Sequence, residues 1–112
     1  MIITTIKPYS LEEIKKLKEE FGLYIKTVID IKKKICSAGM KLHFEGEQIL
    51  ISQESDQINI WGGGVDLQTK TIDFNAIINI RPRDNNRTNV IQDPKIQVEY
   101  EKLTKHFFKE IL

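Results

Sequence analysis

Three arginines fall within seven residues in the stretch INIRPRDNNR, residues 78–87. Arg81 stands at the end of an alternating run, Arg83 follows the stiff Pro82, and Arg87 comes after Asp84, Asn85 and Asn86, residues that tolerate turn geometry. Guanidinium forks at fixed spacing suit a carboxylate or phosphate better than mobile lysines do. Together with Asn79, Asn86 and Trp61 they outline an anion-binding group. The competing reading is structural: the arginines pair with Asp30, Asp73, Asp84 or Asp93 and order an otherwise irregular loop.

His43 and Glu45, spaced for one face of a strand, form with Glu47 at the turn beyond them a second group suited to acid/base chemistry with His43 as the proton carrier. No second histidine joins them in the pattern, so no metal site is expected; His106 lies off the apolar stripe of its own segment. Trp61-Gly62-Gly63-Gly64 lacks the Lys-Ser/Thr of a phosphate-binding loop, and glycines inside a strand pattern mark a bulge, a bend or a close approach. Cys36 lies in an apolar run and reads as a small core residue, while Asp30 interrupts the run Val28 to Ile31 and reads as a carboxylate bonded to a neighbouring group. No motif asks for a cofactor.

The elements that must hold these groups follow from period and punctuation. Residues 2–6 are β-branched and precede Pro8, which suits a short strand. Ser10 with Glu13 is a capping box, and apolar residues at helical spacing run from Leu11 through Ile35, giving a helix over 11–36 that is kinked or broken at Gly22. Leu42 and Phe44 alternate with polar neighbours, Gly46-Glu47 looks like a tight turn, and Ile49 and Ile51 follow, which predicts a hairpin. Ile58 and Ile60 open a strand into the glycines. A longer strand over 71–81 buries Ile72, Phe74, Ala76, Ile78 and Ile80 and leaves 82–92 as a loop. Asp93 and Pro94 start the final helix.

This order predicts a single α+β domain over 1–112: an antiparallel sheet of four or five strands, with a long or kinked N-terminal helix and a C-terminal helix on one face. Its opposite face would carry His43, Glu45, Leu50, Asn59, Trp61, Asp73, Asn75, Ile77, Asn79 and Arg81.

Seventeen Lys+Arg against sixteen Asp+Glu leave a formal charge of +1 in 112 residues, so no global field draws in nucleic acid or an acidic membrane. With Cys36 the lone cysteine, no internal disulfide forms, and a reducing cytoplasm fits. Neither a secretory leader nor a run of about 18 apolar residues is present, so no membrane role is expected.

VIDIKKKI, GMKLHFEGE, INIWG, IDFNAIINIRP, NRT and the final DP before a helix resemble a family of small uncharacterised prokaryotic proteins known only as a domain of unknown function. The likeness covers roughly residues 10–110. It takes in Asp30, Leu42, His43, Glu47, Trp61, Gly62, Ile78, Asn79, Arg81, Pro82, Asn86, Arg87, Asp93 and Pro94, and departs after Gly62, where GGVDL replaces a more polar and aromatic segment. The resemblance implies a self-contained domain and no particular activity.

Three functions therefore stand side by side. The first is a binding module for an anionic group on a small molecule, protein or RNA, built on Arg81, Arg83 and Arg87 with Asn79, Asn86, Trp61 and His43. The second is a small metal-independent ribonuclease or hydrolase of toxin type using His43 with Glu45 or Glu47, against which the near-neutral charge stands. The third is a homodimer joined through the sheet face that carries Trp61 and Ile77.

Overall fold

The computed structural model describes residues 1–112 as an antiparallel five-stranded sheet with three α-helices, an α+β fold. Strands β1 (Ile3–Thr5), β2 (Tyr24–Asp30), β3 (Ile35–Ala38), β4 (Ile60–Asp66) and β5 (Thr71–Asp73) lie in the order β1-β3-β2-β4-β5. Helices α1 (Leu11–Phe21) and α3 (Pro94–Phe107) cover one face, burying Ile14, Leu17, Tyr100, Leu103 and Phe107 against Ile25, Ile29, Cys36 and Val65. Helix α2 (His43–Ser52) closes the other face, where Leu50 meets Val28, Met40 and Ile60. The expected one-sided helix layer is thus a two-sided one.

Local chemistry sets the helix ends. The Glu13 amide donates to Ser10 Oγ at 3.1 Å and the Ser10 amide to Glu13 Oε1 at 2.9 Å, the reciprocal pair expected of a capping box. The Lys95 amide donates to Asp93 Oδ1 at 2.9 Å with Pro94 in the first turn.

Three expected elements differ. The helix over 11–36 stops at Phe21, and the rest is the β2–β3 hairpin. Strand β2 is central and covered on both faces, with Ile25, Thr27, Val28, Ile29 and Asp30 all buried, so its apolar residues do not alternate and instead imitate helical spacing. The hairpin expected at 42–51 is α2: His43, Gly46, Glu47 and Leu50 point inward at i, i+3, i+4 and i+7, and the Leu42/Phe44 alternation lies on the outside. The strand over 71–81 ends at Asp73. The chain then makes one bridge, Asn75 to Val90, and a 3-10 turn at Ile77–Asn79, so Ile72, Phe74 and Ile78 are half-buried and Ile80 is exposed.

The two hairpins share one turn design. Asp30 Oδ1 accepts from the amides of Lys32 and Lys33 at 2.9 and 2.8 Å, and Asp66 Oδ1 accepts from Gln68 and Thr69 at 2.9 and 3.1 Å. Each turn closes on a lysine amide bonded to the aspartate carbonyl at 2.8 Å, and those lysines, Lys34 and Lys70, hold φ of 59°. A side chain in the left-handed region is disfavoured relative to glycine. Lys34→Gly and Lys70→Gly are each expected to raise stability by about 0.5–1 kcal/mol, read as a higher urea midpoint at unchanged slope; a loss in either would contradict the turn geometry.

Candidate functional site

Beyond the end of β5, the backbone groups of Ile60 and Gly62 on the side of β4 away from β2 have no strand to meet. Side chains replace it. Asn79 Oδ1 accepts from the Gly62 amide at 2.8 Å, and its Nδ2 donates to the carbonyls of Gly62, Phe74 and Asn89 at 2.9, 3.1 and 3.1 Å. Two residues on, the Arg81 guanidinium donates to the Ile60 carbonyl at 2.8 Å and to the Gln57 carbonyl, and its centre lies 3.9 Å from the Trp61 ring centroid. Asp84 is 4.0 Å from Arg81 Nε. Burial lowers the pKa of Arg81, with Asp84 and Glu47 opposing that shift.

Asn86 does the same for the 82–92 loop. Its Nδ2 donates to the carbonyls of Asn79, Thr88 and Val90, its Oδ1 accepts from the Gln92 amide at 2.8 Å, and its backbone bridges Arg81. Asn79, Arg81 and Asn86 therefore direct their polar groups at the protein's own backbone. Trp61 is not a surface platform; it is 2% exposed beneath Arg81. Arg83 and Arg87 are exposed. Arg83 shares a groove of about 390 Å³ with Arg81 and Asp84, and Arg87 is not among the residues that line it.

The expected strand with His43 and Glu45 and the turn at Glu47 give way to the first two turns of α2. Glu45 Oε1 accepts from the Leu42 amide at 3.0 Å, which engages it in holding the helix start. Glu47 is buried with Oε2 unbonded and acts electrostatically on Arg81. His43 Nε2 bonds the Gly63 carbonyl at 2.7 Å, an arrangement that places the neutral ring's hydrogen on Nε2. Burial lowers the His43 pKa, a second push down comes from Lys26, and the Gly63 carbonyl and Asp73 oppose them, the net direction favouring the neutral ring. Its Nδ1 has no partner in the chain and is not enclosed. That lone pair accepts a hydrogen bond or takes a proton.

His43 opens onto a cleft of about 470 Å³ between the start of α2, Lys26 of β2, and residues 75–78 with Asn89. Leu42, Phe44, Ala76, Ile77 and Ile78 supply its apolar walls, and Lys26 is the one charged lining residue. Leu42, Phe44 and Ile77 are 62%, 57% and 80% exposed, an apolar concentration that a lone chain leaves in water. Lys26 Nζ is steadied by the Lys41 carbonyl at 2.6 Å. Leu42, at the N-cap, has no side-chain oxygen, and the first-turn amides of His43 and Phe44 find no acceptor in the chain.

Glycines make the closure fit. A Cβ on Gly62 would stand 2.6 Å from Ala76 Cβ and 3.1 Å from His43 Cδ2, so a larger residue would push the two cleft walls off β4. Gly64 similarly makes room for the Tyr24 ring, whose hydroxyl donates to Asp73 Oδ2 at 2.5 Å. Burial and that carboxylate raise the Tyr24 pKa above the ordinary phenol range.

Of the residues lining the cleft, the alternation put His43, Asn75 and Ile77 on one sheet face and Leu42 and Phe44 on the buried one, and it did not single out Lys26 or Asn89. Lys26 was hidden by the helix reading of 11–36. The one available signal was the β-branched density of YIKTVID beyond Gly22. No cluster of three or more His, Cys, Asp or Glu side chains is placed to hold a metal, and no helix is long and apolar enough to cross a membrane.

A family model described as "Protein of unknown function (DUF5674)" matches residues 1–107 of the chain. No curated protein and no solved structure matches it.

Proposed function

Since the chain belongs to the DUF5674 family, whose description assigns no activity, we propose from the site alone that it is a binding module whose ligand has an apolar body and an anionic head. The observation that carries this is the lining of the 470 Å³ cleft: five hydrophobic residues, with Lys26 the only charge and no carboxylate. Its size and mostly apolar walls with a few polar groups are those of small-molecule sites. The head group would meet Lys26 and the free amides at the start of α2, where the helix dipole also favours negative charge. The body would cover Leu42, Phe44 and Ile77. Anion recognition thus moves from the arginines to the opposite end of the 75–81 segment.

Calorimetric titration with decanoate tests the reading, with decanol as the neutral control. Saturable binding of decanoate is expected, about tenfold tighter than decanol for a charged hydrogen bond. Ile77→Asp is expected to weaken decanoate at least tenfold, because it removes an apolar wall and adds a repelling charge. Ile77 is so exposed that the fold should not suffer. Decanol binding as well as decanoate would remove the anionic head from the proposal, and an Ile77→Asp protein that binds like the parent would remove the cleft.

A further inference from the structure

The two matched hairpin turns allow a comparison of charge balance within one molecule. Lys70 lines a hollow of about 450 Å³ with Lys18, and Glu110 lines it as well, so a carboxylate stands among those cations. Lys34, at the same left-handed turn position, lines a hollow of about 240 Å³ with Lys102 and His106 of α3, and no carboxylate is there. Ile6 and Leu103 complete it.

Lys102 and His106 are four residues apart and share one face of α3. Lys34 comes from a turn fixed by Asp30. The lysine side chains that donate hydrogen bonds within the chain are Lys26 and Lys33, and those in ion pairs are Lys16 and Lys105. Lys34 and Lys102 belong to neither set. Both are exposed and line one hollow, so an outside anion seated there would be attracted by two cations that have no partner within the chain. His106 adds an N–H donor in either charge state.

We propose that this hollow is a second site, separate from the apolar cleft, and that it binds a phosphate group. Phosphate combines nearly two negative charges with three acceptor oxygens, which matches point-charge lysines approaching from different elements. The apolar contributions of Ile6 and Leu103 would meet the carbon portion of a phosphomonoester or a lipid headgroup.

The paired turns supply the test. The full chain is titrated calorimetrically with inorganic phosphate at low ionic strength, against chloride at matched ionic strength. One saturable site is expected, and Lys34→Gly and Lys102→Ala should each weaken it about tenfold. Lys70→Gly should leave it unchanged. Both glycine variants occupy a backbone conformation that glycine prefers, so a folding defect would not confuse the reading, and circular dichroism verifies this.

Glycerol 3-phosphate and phosphatidic acid vesicles then identify the source. Tighter binding of the former assigns a soluble phosphomonoester, and vesicle sedimentation that is lost with Lys34→Gly assigns a lipid headgroup. The proposal fails if none of the three phosphates binds beyond the chloride control. It also fails if Lys70→Gly weakens binding as much as Lys34→Gly does, since that would be general charge screening.

Discussion

Asn79→Ala is expected to lower stability by about 4 kcal/mol, although it removes only a carboxamide. Asn79 is fully buried and makes four hydrogen bonds to backbone groups of Gly62, Phe74 and Asn89. Alanine leaves the amide and carbonyl of Gly62 unanswered, each carrying a desolvation cost of about 1–3 kcal/mol, while the Phe74 and Asn89 carbonyls keep the Ile91 and Ala76 amides. For a chain of this length the loss corresponds to a fall of roughly 15 °C in Tm. Asn79→Asp is the discriminating companion: it keeps the size and the acceptor for the Gly62 amide but turns a carboxylate oxygen toward the three carbonyls, and it should be at least as damaging. A loss under about 1 kcal/mol for Asn79→Ala in urea denaturation would mean that the side chain does not stand in for a strand.

Arg81→Ala should cost about 3–5 kcal/mol, several times the value of an exposed ion pair. The guanidinium is the partner of the Ile60 and Gln57 carbonyls, stacks on Trp61, and is the cation that acts on the buried Glu47. Removing it leaves the Ile60 carbonyl unanswered and takes away a cation that favours the buried Glu47 carboxylate, while the Gln57 carbonyl keeps the Ile60 amide. Arg83→Ala and Arg87→Ala, by contrast, alter exposed side chains and should stay within about 0.5 kcal/mol. If all three alanine variants unfolded at the same urea concentration, the structural assignment of Arg81 would fall.

The contrast among the three arginines shows how far the sequence could be read. Punctuation was legible: Ser10 with Glu13, and Asp93 with Pro94, act through neighbours along the chain, and both helix starts are where those residues imply. The strand through Ile60 and the glycines and the overall α+β class were legible too. Periodicity failed where an element is covered on both sides or inverted. Strand β2 has no polar face to alternate, and α2 buries Glu47 while exposing Phe44, so its outer residues imitate a strand. The site suffered for the same reason, since its walls come from α2, β2 and the 75–78 segment, whose juxtaposition depends on those misread elements. That Asn79 and Arg81 mattered was visible in their spacing; that they reach for backbone rather than ligand depends on where β5 ends.

The side-chain clasp along β4 also protects the protein from its own kind. An uncovered strand edge presenting Ile60, Trp61 and Gly62 would combine bare donors and acceptors with apolar residues and would offer a template for another chain to extend the sheet. Proteins commonly guard such edges with charge, proline or a bulge. Here an amide and a guanidinium occupy the bonds that an incoming strand would need, and Pro82, which has no donor to offer, follows directly. The INIRP segment therefore guards against aggregation as well as completing the fold, and damage to the clasp would convert a loss of stability into a tendency to associate through β4.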